Sequence, residues 1–240
     1  MKQIILMRHG ESQWNLENRL TGWTDIDLSG KGVKEATLIG ESFKRNRIII
    51  DKAYCSFLRR TERTLKIVLD GCGLSNIEIE RSWRLNENHY GVLQGMYRNQ
   101  IEAVYGKESA AMWLGSYNCP PPPLASEDIR NPRNEELYKN VPKDLLPLSE
   151  SYNDLSKRVI PFWENNIVPS LKNNNTILVV AHGNSLREIL KHLYGIREKD
   201  MFKINLPTAQ PFILNFRDEL RDAIYLPYGF KPRQSRTIFF

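Results

Sequence analysis

Two histidines stand at the same kind of position in the chain, directly after a short apolar run and directly before a glycine. The first lies in Arg8-His9-Gly10 and the second in Ala181-His182-Gly183. A neutral imidazole is a nucleophile that can take up a phosphoryl group. Because ligands of open α/β sheets bind at the carboxyl ends of the strands, two such histidines on neighbouring strands could meet across one ligand. The pattern indicates phosphoryl-transfer chemistry.

Positive charge and polar side chains elsewhere in the chain fit the same chemistry. Phosphoryl transfer depends mainly on positioning and on charge at the phosphoryl oxygens, which Arg8, Arg60 and a protonated His182 could supply. The carboxylate of Glu87 could move a proton on a substrate hydroxyl. The remaining acceptors could be bound by Ser12, Asn15 and Asn184. This set of side chains requires no metal. Because His9 and His182 would lie close together, we expect them to titrate as a coupled pair near the ordinary histidine pKa of about 6.5.

Alternating strand and helix patterns would position these groups. Short apolar runs predict strands over residues 3–7, 48–56, 77–80 and 176–181. Apolar residues at helical spacing predict helices over residues 33–45, 59–70, 150–166 and 186–194. Buried strands that alternate with helices are typical of an α/β fold with a mainly parallel sheet.

The stretch between residues 81 and 150 lacks this regular pattern. It contains the run Pro120 to Pro123. Since each proline removes a backbone donor and restricts φ, residues 118–147 are predicted to be mainly loop. We therefore expect a single α/β domain over residues 1–240 with an irregular insertion at about 85–147. The apolar tail, residues 235–240, is expected to dock onto the body of the domain.

The composition fits an ordinary globular protein and excludes several other classes. The 240 residues are 41% hydrophobic and 26% charged, with a net charge of +6. These values exclude collagen, coiled coils and disorder as the main state. Basic residues are dispersed among acidic ones, so we expect no nucleic-acid partner. Apolar runs are far shorter than the roughly 20 residues that cross a bilayer, so no membrane association is expected.

The cysteines and the N-terminus point to a compartment. The three cysteines include no CxxC pair, which predicts reduced thiols without a disulfide framework or a zinc site. The N-terminal apolar run is too short for a secretory segment. We expect an unprocessed cytoplasmic protein.

Several blocks of sequence together resemble one family. LMRHGESQWNLENRLTGWTDIDLSGKG resembles the opening of the cofactor-dependent phosphoglycerate mutases, which belong to the histidine phosphatase superfamily. Later blocks of the same family follow in the same order, namely WRLNENHYGVLQG, CPPPPL, AHGNSLREILKH and NLPTAQP. The resemblance runs from about residue 3 to residue 216. The tripeptide RHG alone indicates only the superfamily, whereas the whole set of blocks is highly specific to the phosphoglycerate mutases.

This resemblance implies a fold, a reaction and a set of site residues. It implies an α/β fold of three layers, in which helices flank a central, mostly parallel sheet. The implied reaction is the glycolytic interconversion of 3-phosphoglycerate and 2-phosphoglycerate, primed by 2,3-bisphosphoglycerate without a metal, in a homodimer or homotetramer. In that reaction His9 would hold the phosphoryl group, His182 would stabilise its transfer and Glu87 would act as acid and base. The positions that would line the site are Arg8, Ser12, Asn15, Thr21, Gly22, Arg60, His89, Tyr90, Arg98, Gly183 and Asn184.

The chain departs from the pattern of that family at several positions. Leu114-Gly115 stands where the family has two adjacent substrate-binding arginines, and Asn88 replaces another arginine. Arg98 stands for a lysine, and Ala209 for a glycine. The usual lysine-rich, glycine-containing tail is not recognisable in the last 20 residues. Because a charge-assisted contact with an anion contributes roughly 1.5–3 kcal/mol, the loss of two arginines is substantial.

These departures leave three functions open. The whole set of blocks favours a phosphoglycerate mutase, in which Arg130 or Arg133 could replace the lost arginines. Without the two arginines, the site would hold the substrate more weakly. The bisphosphorylated intermediate could then leave, or water could reach the phosphohistidine. This weaker binding would instead favour a histidine phosphatase or a bisphosphoglycerate mutase or phosphatase. A non-catalytic binding protein is the third possibility. The intact set of Arg8, His9, Arg60, Glu87 and His182 argues against it.

Overall fold

A six-stranded sheet forms the centre of the computed structural model, which describes residues 2–74, 76–217 and 220–225. The strands are β1 (Lys2–Arg8), β2 (Lys52–Cys55), β3 (Glu78–Arg81), β4 (Thr176–Ala181), β5 (Pro211–Arg217) and β6 (Leu220–Tyr225). Their order across the sheet is β3-β2-β4-β1-β5-β6. The four strands from β3 to β1 are parallel, and β5 and β6 are antiparallel to their neighbours. The predicted mostly parallel sheet is therefore confirmed.

The two central strands explain why both histidines reach one place. All six residues of β4 are buried, as expected for a strand covered by helices on both faces. β4 pairs in parallel with β1, and Arg8 lies opposite Ala181 at the end of the register. The residues that follow, His9 and His182, therefore leave the sheet side by side at its carboxyl edge.

Helices cover the sheet on both sides. The helices before β4 are α1 (Gln13–Leu16), α2 (Gly30–Arg45), α3 (Arg59–Cys72), α4 (Arg98–Tyr105), α5 (Lys107–Gly115), α6 (Tyr152–Phe162) and α7 (Val168–Ser170). α8 (Gly183–Tyr194) and α9 (Glu198–Met201) follow β4. α2 and α3 pack on one face of the sheet, against Ile5 and Val180, and α6 and α8 pack on the other face, against Leu6 and Val179. The result is the predicted arrangement of three layers.

Helix boundaries follow from local capping. α2 begins at Gly30, three residues before the predicted start, because the side chain of Ser29 accepts a hydrogen bond from the amide of Gly32. α8 begins at Gly183, also three residues earlier than predicted, with His182 at its N-cap. The predicted strand 48–56 is shorter in the structure, at Lys52–Cys55.

The region between β3 and α6 is irregular except for two helices. Residues 118–147 contain only short 3-10 helices, at Pro132–Asn134, Glu136–Tyr138 and Lys143–Leu145, so the predicted loop is confirmed. The helices α4 and α5 were not predicted; they pack through Ile101 and Ala110 into a small apolar cluster with Leu20 and Leu93. The tail 235–240 lies outside the described residues. No helix in the described ranges is both long and apolar enough to span a membrane.

Candidate active site

A cavity of about 300 Å³ opens at the carboxyl edge of the parallel strands. Five arginines and one glutamate line it, so its charge strongly favours anions. Loops after β1, the first turns of α3, α4 and α8, and the segment before α4 all contribute side chains. The lining residues are Arg8, His9, Asn15, Arg19, Leu20, Thr21, Gly22, Arg60, Glu87, Tyr90, Arg98, Leu114, Tyr152, Gly183, Asn184, Arg187 and Phe202.

His9 and His182 meet at this edge, as predicted. Their ring centroids lie 5.0 Å apart with an interplanar angle of 61°. The Nδ1 of His9 is 2.6 Å from the carbonyl oxygen of Gly10, so Nδ1 carries the proton and donates it there. This contact leaves the lone pair on Nε2, the nitrogen available for nucleophilic attack.

The surroundings of both histidines favour their neutral forms. Burial lowers the pKa of His9 well below its usual value, and the positive charges of Arg60 and Arg8 lower it further. Burial, Arg60 and His9 lower the pKa of His182 in the same direction. The expectation of titrations near 6.5 with a protonated His182 is therefore wrong, because the burial of the two rings and the approach of Arg60 depend on tertiary packing, which the local sequence does not record.

A neutral His182 can still donate a hydrogen bond. Its Nε2 lies 2.8 Å from the Oγ of Ser56, whose oxygen also accepts from the amide of Leu58. When the Ser56 hydroxyl donates to Nε2, the proton of the imidazole resides on Nδ1. In this tautomer the buried Nδ1, which has no partner among the described residues, is free to donate to a bound anion.

Two arginines offer further unused donors. Arg60 is 1% exposed and donates to the carbonyls of Gly22 and Thr24, which hold its guanidinium at the cavity wall. Burial lowers its pKa to about 10, which still leaves it charged at neutral pH. The Nε atoms of Arg60 and Arg8 are buried without a partner in the described part of the chain. Since buried donors are almost always paired, these atoms indicate a place for an anion.

Glu87 lies at the cavity opposite the first turn of α8. Its Oε1 accepts hydrogen bonds from the amides of Asn88, at 2.9 Å, and Asn184, at 3.2 Å. The side chain of Asn184 donates to the hydroxyl of Tyr90 at 2.8 Å. The carboxylate is thus placed at the N-terminus of α8, where the helix dipole also favours negative charge.

Most predicted site residues line the cavity, and three do not. Ser12 is buried at the N-cap of α1, where its side chain accepts from the amide of Asn15. His182 packs against the ring of His9 and is 0% exposed. His89 is also 0% exposed: its Nδ1 accepts from the amide of Gly91, and its ring packs on Trp23 with centroids 5.4 Å apart. The prediction that His89 binds substrate is therefore corrected, because its side chain is enclosed in the core.

Leu114-Gly115 stands at the position of the expected arginine pair, so this part of the cavity wall has neither of those two charges. Leu114 lines it, and the carbonyl of Leu114 accepts from the hydroxyl of Tyr152 at 3.2 Å. Arg130 and Arg133 do not line the cavity, because Arg130 is paired with Asp128 and Arg133 is bound to the carbonyl of Leu146.

Arg19 and Arg187 line the cavity instead, and the sequence prediction missed both. Arg187 could have been found from its spacing, since it follows Gly183 by one helical turn. Arg19 has no comparable signal, because its place in the wall depends on the long-range contact of its Nε with the carbonyl of Gly95.

Another groove of about 600 Å³ lies beside β3, lined by residues that include Phe57, Trp83 and Arg84. It is larger but contains no histidine and no carboxylate other than Glu80, so the smaller cavity is the better candidate for chemistry. Within residues 2–74, 76–217 and 220–225, no group of three or more histidine, cysteine or acidic residues is placed to hold a metal ion.

Comparisons with known proteins agree with this arrangement. The family described as the histidine phosphatase superfamily (branch 1) matches residues 4–224. The chain is 51% identical over 220 residues to the 2,3-bisphosphoglycerate-dependent phosphoglycerate mutase of Bacteroides fragilis, which covers 92% of this chain and 89% of the relative. It is 49% identical over 220 residues to the enzyme of the same name from Elusimicrobium minutum, with the same coverage of 92% and 89%.

Solved structures share the fold at low sequence identity. A putative alpha-ribazole-5'-P phosphatase from Escherichia coli superposes with a TM-score of 0.72 at 18% identity, covering 94% of this chain and 96% of that one. The YhfR protein of Bacillus stearothermophilus superposes with a TM-score of 0.71 at 22% identity, with coverage of 94% and 96%.

Proposed function

The chain belongs to the 2,3-bisphosphoglycerate-dependent phosphoglycerate mutases of the histidine phosphatase superfamily, and we propose that it interconverts 3-phosphoglycerate and 2-phosphoglycerate through a phosphohistidine on His9. One observation carries this assignment of His9. Its Nδ1 is held by the carbonyl of Gly10, which leaves Nε2 as the nucleophile beside three buried donors that have no partner among the described residues. A neutral nucleophile next to vacant cationic donors is suited to attack on a phosphate ester.

Two transfers of opposite direction make up the reaction. In the first, the Nε2–P bond forms while the bond between phosphorus and the donor oxygen breaks, and Glu87 supplies the proton that this oxygen needs. In the second, Glu87 takes the proton of the attacking hydroxyl while the Nε2–P bond breaks. Arg8, Arg60 and the Nδ1–H of His182 bind the phosphoryl oxygens in both steps.

The primer supplies the phosphoryl group that first loads His9. We propose 2,3-bisphosphoglycerate for this role, and the five arginines at the cavity suit its several anionic groups. Arg19, Arg98 and Arg187 lie among the cavity-lining residues and would bind the anionic group that is not being transferred. No metal takes part in these steps.

The finer assignments on organisation and compartment are also proposals. We infer a single domain over residues 1–240, with the irregular insertion at about 85–147, that acts in the cytoplasm as a homodimer or homotetramer. Its partner is a small phosphorylated molecule, and we propose no nucleic-acid or membrane partner. Sedimentation of the purified protein measures the oligomeric state directly, and a monomer at all concentrations would contradict the oligomer.

The activity is tested by measuring two products from one preparation. A coupled assay follows the conversion of 3-phosphoglycerate with and without 2,3-bisphosphoglycerate, and a second assay follows the release of inorganic phosphate. We expect primer-dependent conversion with little phosphate release. Phosphate release without conversion would instead establish a phosphatase, and would mean that Leu114-Gly115 leaves the clamp too weak to retain the bisphosphorylated intermediate.

The role of His9 is tested in the same assays. His9→Ala should abolish both primer-dependent conversion and uptake of labelled phosphate from 2,3-bisphosphoglycerate. His192→Gln is the matched control, since His192 lies on the surface beside Glu164 and does not line the cavity. Labelled phosphate retained on His9→Ala would rule out His9 as the nucleophile.

A further inference from the structure

A buried arginine lies behind the cavity without lining it. Arg158 is on α6 and is only 8% exposed. Its Nε and Nη2 form a two-pronged pair with the carboxylate of Glu150, at 2.6 and 2.8 Å. Such paired, parallel hydrogen bonds fix the guanidinium in both position and orientation.

The other donors of Arg158 reach the segment that precedes and includes Glu87. Its Nη1 donates to the carbonyls of Arg84, at 2.8 Å, and Asn86, at 3.0 Å. Its Nη2 donates to the carbonyl of Glu87 at 2.8 Å. The indole of Trp23 donates to that same carbonyl at 2.6 Å. The guanidinium of Arg158 therefore holds the backbone from residue 84 to residue 87, which is the residue that carries the carboxylate.

Glu150 holds the chain on the other side of Glu87. Its Oε2 accepts from the amide of His89 at 2.9 Å, and its backbone carbonyl accepts from the side chain of Asn88 at 3.2 Å. The amide of Glu150 donates to the carbonyl of His89 at 2.8 Å. One ion pair, Arg158 with Glu150, thus anchors the chain both before and after Glu87.

We propose that Arg158 is a positioning residue, which sets the placement of the Glu87 carboxylate in the cavity through its fork of hydrogen bonds to residues 84–87. The inference rests on the proposed role of Glu87 as acid and base. A displacement of about 1 Å at a reacting group can lower a rate roughly 100-fold. A lysine could keep the charge next to Glu150 but not the planar fork, so it cannot reproduce the contacts with the carbonyls.

Two substrates separate this role from a general effect on folding. Phosphoglycerates lose or gain a proton at an alcohol oxygen, whereas p-nitrophenyl phosphate releases a stabilised anion that needs no proton. For Arg158→Lys and Arg158→Met, we expect primer-dependent turnover of 3-phosphoglycerate to fall about 100-fold, chiefly in kcat. The burst of p-nitrophenol that reports phosphorylation of His9 should change by less than about 3-fold, because this leaving group needs no proton from Glu87.

Arg130→Met is the matched control. Arg130 also pairs with a carboxylate, that of Asp128, and donates to a backbone carbonyl, that of Gln94, but within the described part of the chain it donates no hydrogen bond to residues 83–90. We expect this variant to retain the wild-type ratio between the two activities. Thermal unfolding of every variant verifies that the rates belong to folded protein.

Glu87→Gln provides the reference for the comparison. It should show the same selective loss, and adding Arg158→Lys to it should lower turnover no further, because the group positioned by Arg158 is already inactive. If Glu87→Gln reduces both activities equally, the proposed function of Glu87 is wrong. If Glu87→Gln is selective but both Arg158 variants reduce the two activities equally, the positioning role is wrong and Arg158 is only structural.

Loss of folding in Arg158→Met does not prevent the test. Removing one member of a buried ion pair leaves the other charge without a partner, which is the main threat to that variant. Arg158→Lys retains the charge, and the paired change Arg158→Met with Glu150→Met removes both charges at once. A folded variant of either kind with wild-type turnover of 3-phosphoglycerate would overturn the proposal.

Discussion

At the scale of single residues, one backbone carbonyl determines which nitrogen of His9 can react. The contact between Nδ1 and the carbonyl of Gly10 selects the tautomer with its lone pair on Nε2. Burial and two arginines keep that lone pair unprotonated. The nucleophile is therefore ready near neutral pH without a separate base to remove a proton.

Direct titration of the histidines checks this point. Because the pKa values of His9 and His182 are both lowered well below 6.5, we expect both imidazoles to stay neutral from pH 8 to 6.5 in the free protein. Nuclear magnetic resonance of protein labelled with ¹⁵N-histidine reports the state of each ring, and His9→Ala and His182→Ala assign the signals. A titration midpoint at or above 6.5 for either ring would contradict the structural argument.

At the scale of elements, α2 approaches the loop that carries His9 so closely that only glycine fits. A Cβ on Gly32 would lie 2.1 Å from the carbonyl oxygen of Glu11, and one on Gly10 would lie 2.5 Å from the carbonyl oxygen of Gly32. Both obstacles are backbone atoms, which cannot turn aside as a flexible side chain can. The loop and the helix therefore have to move apart if either glycine gains a side chain.

Two glycine substitutions in one helix test this packing. Gly32→Ala should destabilise the protein by about 1–3 kcal/mol, the usual cost of overpacking, and should lower the turnover of 3-phosphoglycerate because His9 is displaced. Gly30→Ala should change stability by less than about 1 kcal/mol, since no atom lies within 4 Å of its added Cβ. Urea unfolding and steady-state kinetics measure both effects. Equal behaviour of the two variants would show that the close approach has no consequence for the site.

At the scale of the whole molecule, the core holds three histidines in their neutral form. Burial lowers the pKa of His89 to about 3, and the pKa values of His9 and His182 are lowered in the same direction. In the unfolded chain each would take up a proton near pH 6.5. The unfolded state therefore binds more protons than the folded state below that pH, and the free energy of unfolding falls as the pH is lowered.

Two carboxyls, that of the half-buried Glu135 and that of the buried Glu188, act in the opposite direction. Burial raises the pKa of Glu135 to about 7 and also raises that of Glu188, so both take up protons in the folded state before they do so in the unfolded chain. Each histidine contributes about 1.4 kcal/mol per pH unit below 6.5, and each carboxyl offsets a similar amount at most. The three histidines outweigh the two carboxyls.

Acid should therefore destabilise the protein before its exposed carboxylates are protonated. Between pH 6.5 and 5.5 we expect the free energy of unfolding to fall by about 1–3 kcal/mol. His89→Gln should make this slope shallower by about 1.4 kcal/mol per pH unit, whereas His192→Gln, at the surface, serves as the control. Urea unfolding at pH 7.5, 6.5 and 5.5 measures the slopes, and stability that increases on acidification would refute the prediction.

The sequence by itself determined the four parallel strands, the helices that cover them and the kind of chemistry. Buried apolar runs followed by His9 and His182 predicted parallel strands that end at one site, because the pattern of burial and the strand–histidine–glycine spacing are local properties. The clusters of prolines likewise predicted the loop over residues 118–147. Each of these features depends on residues that are neighbours in the chain.

Only the tertiary structure decided the protonation of the histidines and the final membership of the site. His89 lies in the same block as Glu87 but is enclosed in the core, whereas Arg19 lines the cavity through a long-range contact with the carbonyl of Gly95. The anchoring of Glu87 depends on Arg158, 71 positions away in the chain. Desolvation, charge and hydrogen bonds sum over all neighbours in space, and a sequence pattern records only the neighbours along the chain.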